Sequence, residues 1–472
     1  MPLHLWFDTI LSLKKPSVKV FIVGGFVRDL LLNRTKTDID LTVTSGALSL
    51  AQAFAKKIKG VYVLLDQEHG CARVVKKIDD IAYTVDFSDF RSKTLKGDLG
   101  LRDFTINSLT VEITKTLSTD NINEGITDFN GALKDLNKGI IRMNDLCVFK
   151  DDPLRLMRAF SLSAQLGFAI ERSTLAQINK DSSLINQSAA ERVREELFKI
   201  LESPRASETL ELMDKIGLLD RVIPQLACMK GVLQGGFHHL DVWQHSLLVV
   251  REVEALIALF QENQGVKQLL EQEIGGSHSR GALLKLACLL HDIGKPDTKK
   301  LEGDRFTFHT HEHVGAAIVR HVCRQLRVTV KERYFLEDLV KLHLRPGYLS
   351  NAQVPSEKSM YRFMRDSKSE AVSLALLAMA DQAATKGPLA TQEKLLHHRA
   401  ICEDIIKRSF APPKESIPKA RLLTGTDLIK KLKLKPSPLF ATIIEAVEEA
   451  KALGKIKTKA EALDLARGMI KG

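Results

Sequence analysis

Only six of the 472 residues are cysteine, and no two of them form a C-x-x-C pair. Cys71, Cys147, Cys228, Cys288, Cys323 and Cys402 are scattered, which argues against a disulfide frame or a zinc ribbon and for reduced thiols in a cytoplasmic protein. Long hydrophobic runs are missing as well, since none reaches the roughly 18 apolar residues of a membrane span. The opening stretch MPLHLWFDTILSLKK carries its lysines after its apolar part and has no small-residue cleavage site, so no targeting signal is read there. Neither an internal repeat nor a low-complexity tract is present. With 44% hydrophobic and 27% charged residues, a disordered or fibrous chain is excluded. The length predicts about two to four packed units.

Positive charge is in excess. Lys and Arg number 69 against 58 Asp and Glu, a net +11 that suits a polyanionic partner without proving one. From residue 412 onward 13 basic residues face 7 acidic ones, so +6 of that excess sits at the C-terminal end.

The first part of the chain mixes strand and helix patterns. VKVFIVGG is an apolar, β-branched run closed by two glycines, FVRDLLL has helical spacing and TDIDLTV alternates like a strand. A helical ALSLAQAFAKKI precedes three further strand candidates, VYVLLD, ARVVKK and IAYTVDFSDF, which predicts an α/β domain with a small sheet over residues 1–145. Beyond it strands nearly disappear. DDPLRLMRAFSLSAQLGF, AAERVREELFKILE and ASETLELMDKIGLL repeat apolar residues at three and four, the pattern of stacked helices. After the loop FAPPKESIPK, the last stretch reads as short helices punctuated by Gly and Pro.

Asp38 and Asp40 stand two apart on a predicted strand, so both carboxylates share one face. Two anions so close call for a hard cation such as Mg²⁺, and paired metals stabilise the attacking and leaving oxygens of a phosphoryl displacement. Upstream, the Gly24-Gly25 turn runs into a helix, an anion site fit for a triphosphate that Arg28 would clamp. No Gly-Lys-Ser/Thr follows, which excludes a Walker loop. A solvated acidic strand end and a D-x-D glycosyltransferase are the competing readings, the latter lacking a doubly wound donor domain. Asp86 is the candidate third carboxylate, with Asp89 its competitor one face away. In LRDFTIN, Arg102 offers a planar fork for phosphate or base, while Asp103 and Asn107, four apart, would share one helix face.

Gly-Gly, twelve residues, then Asp-Ile-Asp resembles the polymerase-beta nucleotidyltransferase superfamily. With LRDFTIN, DDPLRLMRA and LLTGTDLIKKLKLKPSPLF in order, nearly the whole chain resembles the bacterial class II tRNA nucleotidyltransferase (CCA-adding) and poly(A) polymerase family. The resemblance implies a polymerase-beta-like α/β head with a small mixed sheet (1–145), then an all-α neck (146–205), HD body (206–410) and basic RNA-binding tail (411–472). It implies Gly24, Gly25 and Arg28 on the nucleotide and Asp38 and Asp40 on Mg²⁺. Arg102, Arg155 and Arg158 would be further nucleotide contacts, and Asp103 and Asn107, from their spacing beside Arg102, are counted as nucleotide-binding with them. Asp152 and Arg155, three apart, would present the acceptor and donors that match cytosine and adenine, standing in for a template; a helix N-cap is the other role open to Asp152, ahead of Pro153. The chain departs from the family pattern at Leu101 and Ser161, where arginine is usual, and at Asp151, where glutamate is common.

Ten of the 14 histidines fall between His238 and His343. His245, His291-Asp292 in LLHDIGKP and Asp381 resemble the HD phosphohydrolase domain, which implies a divalent transition metal or Mg²⁺ on those four side chains. His311 and His343 match positions that complete a second metal, with His309 and His313 as bystanders. Lys295 would aid a phosphate substrate or simply lie at the surface. The reading is therefore a cytoplasmic enzyme using CTP and ATP to add C and A to tRNA 3′ ends, with an HD phosphohydrolase activity and no membrane partner. Its rivals are a poly(A) polymerase, an enzyme adding only CC or only A, an HD phosphohydrolase with a regulatory nucleotide-binding head, and a non-catalytic RNA-binding scaffold.

Overall fold

A computed structural model describes residues 3–34, 37–115, 117, 122–235, 239–276, 278–387, 391–411 and 421–471. His238 and most of the FAPPKESIPK loop lie outside the described residues. The chain divides into two compact units, Met1–Arg205 with Leu212–Val222, and Ala206–Glu211 with Ile223–Gly472.

The first unit is built on a seven-stranded mixed sheet with strand order β3-β4-β5-β2-β1-β6-β7. Its strands are β1 (Val20–Val23), β2 (Asp38–Val43), β3 (Val61–Asp66), β4 (Cys71–Ile78), β5 (Ile81–Asp89), β6 (Thr110–Glu112) and β7 (Ile126–Thr127). Every pairing is antiparallel except β2 with β5. Alternation sorts the side chains. Ile39, Leu41 and Val43 of β2 are buried, as are Val85 and Phe87 of β5. Phe87 stacks at 5.6 Å on Phe54 of helix α3 (Ala47–Ile58), and Phe54 meets Trp6 of α1 (Leu3–Leu13) at 5.9 Å. The carboxylates at 38, 40 and 86 therefore take the opposite face of the sheet. Asp79 and Asp80, at φ of 47° and 64°, make the two-residue turn between β4 and β5. A turn with both residues left-handed matches the strand twist and pins the register from Ile78↔Ile81 down to Arg73↔Asp86.

Helix α2 (Gly25–Leu31) follows β1, and α4 (Leu95–Gly100) follows β5 with the Thr94 hydroxyl accepting from the Gly97 N–H at 3.1 Å. The remaining long helices of this unit include α5 (Arg155–Leu166), ended by Gly167 at φ 74°, and α6 (Ala190–Glu202). Short pairs that carry too few residues to show alternation join the predicted elements: Ile140–Ile141 with Ala169–Ile170, and in the second unit Lys300–Glu302 with Arg305–Thr307.

The second unit is helical. α7 (Val242–Leu259), α8 (Arg280–Leu290), α9 (His311–Gln325), α10 (Val330–Leu342), α11 (Glu357–Ser367), α12 (Ala371–Ala384) and α13 (Gln392–Ser409) precede α14 (Gly425–Leu432), α15 (Leu439–Ala452) and α16 (Lys459–Lys471). Ten of the 11 residues of α8 are buried, so it is a central helix hidden all round rather than an amphipathic one. α14 to α16 enclose their own small core of Leu423, Leu428, Ile443, Val447, Ile456, Ala462 and Ala466. Glu449 of α15 ties it to α11 through Arg362 at 2.6 Å and Lys358 at 3.0 Å.

Candidate functional site

Two clusters of titratable side chains stand apart from the apolar cores. On the open face of the first unit's sheet, Asp40 lies in register with Asp86 across the parallel β2–β5 pair, and Asp38 with Thr84. The Thr84 hydroxyl donates to Asp38 at 2.5 Å. Burial pushes the Asp40 carboxyl up and Arg102 pulls it down, while Asp86 and Asp38 add like charge that pushes it up again. Gly24 closes this corner at φ +77°; a Cβ there would lie 2.6 Å from Asp40 Oδ2 and 3.4 Å from Arg102 Nη1. The backbone is bare where a phosphate would approach. Asp38 and the buried Asp40 beside a bare glycine turn are a donor pair that fits a divalent cation carrying phosphate oxygens, while the third carboxylate, Asp86, has both oxygens on Arg73. Asp89 plays a different part, accepting the Ala47 N–H at 2.9 Å at the start of α3.

The arginines are mostly engaged. Arg28 is buried, donating to both oxygens of Asp29 at 2.9 Å and to Asn107 at 2.6 Å. Arg158 donates twice to Asp103 Oδ2, at 2.9 and 2.8 Å, and Asp103 Oδ1 takes the Asn107 amide at 2.9 Å. Asp103 and Asn107 do meet, but not on an α-helix face: Thr105–Asn107 is a single 3₁₀ turn, which the four-residue spacing mistook for helix. Burial alone would raise Asp103; Arg158 and these hydrogen bonds outweigh it and hold it at about 2. Arg102 differs, since its buried Nε makes no hydrogen bond and its nearest carboxylate, Asp98, is 3.8 Å away. Asp152 accepts the Leu154 N–H at 3.2 Å and pairs with Arg192 at 3.0 Å, so it does cap the turn at Pro153 although the helix itself starts at Arg155. Arg155 donates to the carbonyls of Val148 at 3.2 Å and Leu101 at 3.1 Å. Ser161, where the family usually carries arginine, donates to buried Glu196.

In the second unit all six HD candidates converge. The ligand atoms of His245, His291 and Asp381 lie within 4.8 Å of one another, and so do those of Asp292, His311 and His343. Helix ends bring them there. Asp241 caps α7 and sets His245 in its first turn; His291 and His343 close α8 and α10; His311 opens α9. His291, His311 and His343 share one device: each Nδ1 bonds a carbonyl three residues back, Cys288, Phe308 and Val340, at 2.8, 2.7 and 2.7 Å. A neutral ring held this way carries its proton on Nδ1 and presents the Nε2 lone pair, the tautomer a metal requires. His311 and His343 Nε2 are 3.3 Å apart, and His245 Nε2 is 2.9 Å from Asp381. Burial drives His343 down to about 3. For His291 burial also lowers the pKa, but the Asp292 and Asp381 carboxylates outweigh it and raise it. Buried nitrogens crowded against carboxylates, with His291 Nε2 making no hydrogen bond, are a donor set that fits divalent metal. Lys295 is buried rather than superficial, 2.6 Å from Asp292 and 2.7 Å from Gln234. His309 and His313 are exposed.

The sequence reading missed Arg73, which grips Asp86, and Arg192, which grips Asp152. Arg73 had a signal, because the Asp79-Asp80 turn fixes it opposite Asp86.

Known proteins bear on both clusters. Family models match residues 20–142 ("Poly A polymerase head domain"), 167–229 ("Probable RNA and SrmB-binding site of polymerase A") and 242–382 ("HD domain"). The A-adding tRNA nucleotidyltransferase of Deinococcus radiodurans is 30% identical over 93% of this chain and 93% of that protein. The chain belongs to the tRNA nucleotidyltransferase and poly(A) polymerase family. A CC-adding relative from Thermus thermophilus is 30% identical over 94% of this chain and 92% of its own, and the multifunctional CCA protein of Pasteurella multocida 29% identical over 69% and 74%. The fold agrees: a CCA-adding enzyme solved with ATP superposes with a TM-score of 0.66 at 19% identity, covering 99% of this chain and 95% of that one. The Thermotoga maritima CCA-adding enzyme with tRNA gives 0.63 at 18% identity, covering 99% and 95%. This family member is thus a nucleotidyltransferase with a mixed α/β head, a helical remainder and an HD domain. Among its described residues no helix is long and apolar enough to cross a membrane.

Proposed function

We propose that this nucleotidyltransferase uses CTP and ATP to add C and A to tRNA 3′ ends, in the cytoplasm, with Asp38, Asp40 and Asp86 as the catalytic carboxylates. The observation that carries the reading is the Asp40↔Asp86 register beside the bare Gly24 turn. Mg²⁺ held by Asp38 and Asp40 would neutralise charge on the attacking and leaving oxygens. The protein's own share is positional. The Gly24-Gly25 turn admits the triphosphate and Arg102, with its unsatisfied Nε, receives it. Arg28, Asn107, Asp103 and Arg158 form a continuous hydrogen-bonded chain that fixes the floor under the nucleotide. The RNA 3′-hydroxyl attacks the α-phosphate and pyrophosphate leaves.

Base choice falls to Asp152 and Arg155, whose acceptor and donors match the edge shared by cytosine and adenine. Arg192 and the Val148 and Leu101 carbonyls must release them first, which couples selection to a local rearrangement. The HD centre, holding a divalent transition metal or Mg²⁺ through His245, His291, Asp292 and Asp381 with His311 and His343, would act as a phosphohydrolase on a phosphomonoester or cyclic phosphodiester. The residues 146–205 and the basic 411–472 segment would bind the acceptor arm by shape and phosphate contacts.

A second reading, a specialist adding only A or only CC, is favoured by a specific observation: the relatives from Deinococcus and Thermus that match over more than nine-tenths of both chains are named A-adding and CC-adding. One experiment separates these readings. Purified protein with Mg²⁺ is given tRNA lacking CCA, tRNA ending in CC, and an unrelated RNA, with CTP and ATP singly and together. Three residues added to the first tRNA establish CCA addition; only CC or only A marks a specialist; long A tails on any RNA make it a poly(A) polymerase. No addition at all rejects the transferase reading.

A further inference from the structure

Asp86 already has a cation. Arg73, opposite it in the β4–β5 register, donates from Nε to Oδ1 and from Nη2 to Oδ2, each at 2.8 Å. This planar fork takes a lone pair on each carboxylate oxygen and cancels the charge that would draw a divalent ion. The neighbouring carboxylates have weaker partners: Asp38 takes one hydroxyl, and Asp40 feels Arg102 through space. Neither partner of the pair is deeply buried, Arg73 being 44% and Asp86 28% exposed, so the fork can open without leaving a charge stranded in the interior.

We propose that Arg73 is the resident counter-cation of the head's metal site: it holds Asp86 in place while the site is empty and competes with the divalent ion for that carboxylate. It is a positioning residue, and its role rests on the reading that Asp38, Asp40 and Asp86 hold metal. An arginine in this place keeps three like charges together on one sheet face and makes metal loading a competition rather than a simple fill.

The test measures Mn²⁺ binding by the loss of the free-ion spin-resonance signal, with the full chain carrying both Asp292→Ala and Asp381→Ala, one from each HD triad, so that ions in the HD centre are not counted. Arg73→Ala should tighten Mn²⁺ at the head about 2- to 5-fold, the modest range expected of a half-exposed pair. Arg73→Lys, which keeps the charge but loses the fork, should fall between. In an Asp86→Asn background Arg73→Ala should change nothing. The Mg²⁺ concentration giving half-maximal nucleotide addition should drop in parallel. Unchanged or weaker Mn²⁺ binding in Arg73→Ala overturns the proposal, and so does an equal effect with and without Asp86. If Asp40→Ala removes no bound Mn²⁺, the metal reading of the head has failed, an outcome seen before Arg73 is touched.

Discussion

Arg158 and Asp103 join α5 to the head's 3₁₀ turn through two hydrogen bonds on one carboxylate oxygen, 2.9 and 2.8 Å long. The other oxygen of Asp103 takes Asn107 and the Phe104 N–H. All of the carboxylate's capacity is spent inside the unit, so its charged form is part of the fold. Its pKa is about 2, below the ordinary value of an unfolded aspartate. The stabilisation is present above the unfolded pKa near 4 and is lost as pH falls from there through about 2. Asp103→Ala should therefore cost about 2 kcal/mol near neutrality, discounted from the buried-pair range because Arg158 is 38% exposed, and should flatten the acid limb of stability. Urea unfolding at pH 7 and pH 3 checks both parts: equal losses at the two pH values would refute the linkage.

Gly24→Ala tests the corner of the site. The new Cβ would meet Asp40 Oδ2 at 2.6 Å, and φ of +77° is disfavoured for alanine. Displacing a reacting carboxylate by about 1 Å costs on the order of 10²-fold in rate. The expected result is such a loss in nucleotide addition with a stability cost of about 1 to 2 kcal/mol. Full activity in a folded variant would show that Gly24 does not shape the site.

The two centres should fail separately. Asp40→Ala should bring transfer down about 10³-fold or more while leaving HD hydrolysis intact, and His291→Ala should do the reverse. Activity of each variant against RNA with CTP and ATP, and against a panel of phosphomonoesters and cyclic phosphodiesters, decides it. If Asp40→Ala keeps full transfer activity, the head assignment is wrong.

How much of this was legible beforehand depended on whether a contact is local. Asp38 and Asp40 were readable because a strand's period of two forces them together. Arg73 opposite Asp86 was readable in principle from a two-residue turn, since hairpin register is fixed by its loop. Arg192 on Asp152 was not, because 40 residues and separate helices lie between them and no periodicity links them. The HD histidines stood out by their clustering between His238 and His343, but which of them would hold metal came through the family resemblance. Their convergence depends on helix ends in four places, and the carbonyl three residues back that orients three of them is invisible in composition. Asp103 and Asn107 misled because a spacing of four fits an α-helix as well as a tight 3₁₀ turn closed by its own side chains.

The proposed RNA contact of the basic C-terminal helices has its own test. Lys431 and Lys433 at the end of α14 are exposed, and Lys433 sits at φ 52° as the helix turns. Several basic groups nearby are already spent, as Lys459 is on Asp427 at 2.6 Å. Among the described residues, Lys431 and Lys433 are in none of the ion pairs around that core. If they meet tRNA phosphates, each should account for nearly one unit in the slope of log affinity against log salt. The double replacement Lys431→Ala with Lys433→Ala should thus flatten the slope by about 1.5 to 2 and weaken tRNA binding most at low salt. Filter binding from 50 to 300 mM KCl, roughly the range over which such contacts fade, reads this directly. An unchanged slope would remove this end of the chain from the RNA interface and leave the family-matched 167–229 region to carry it.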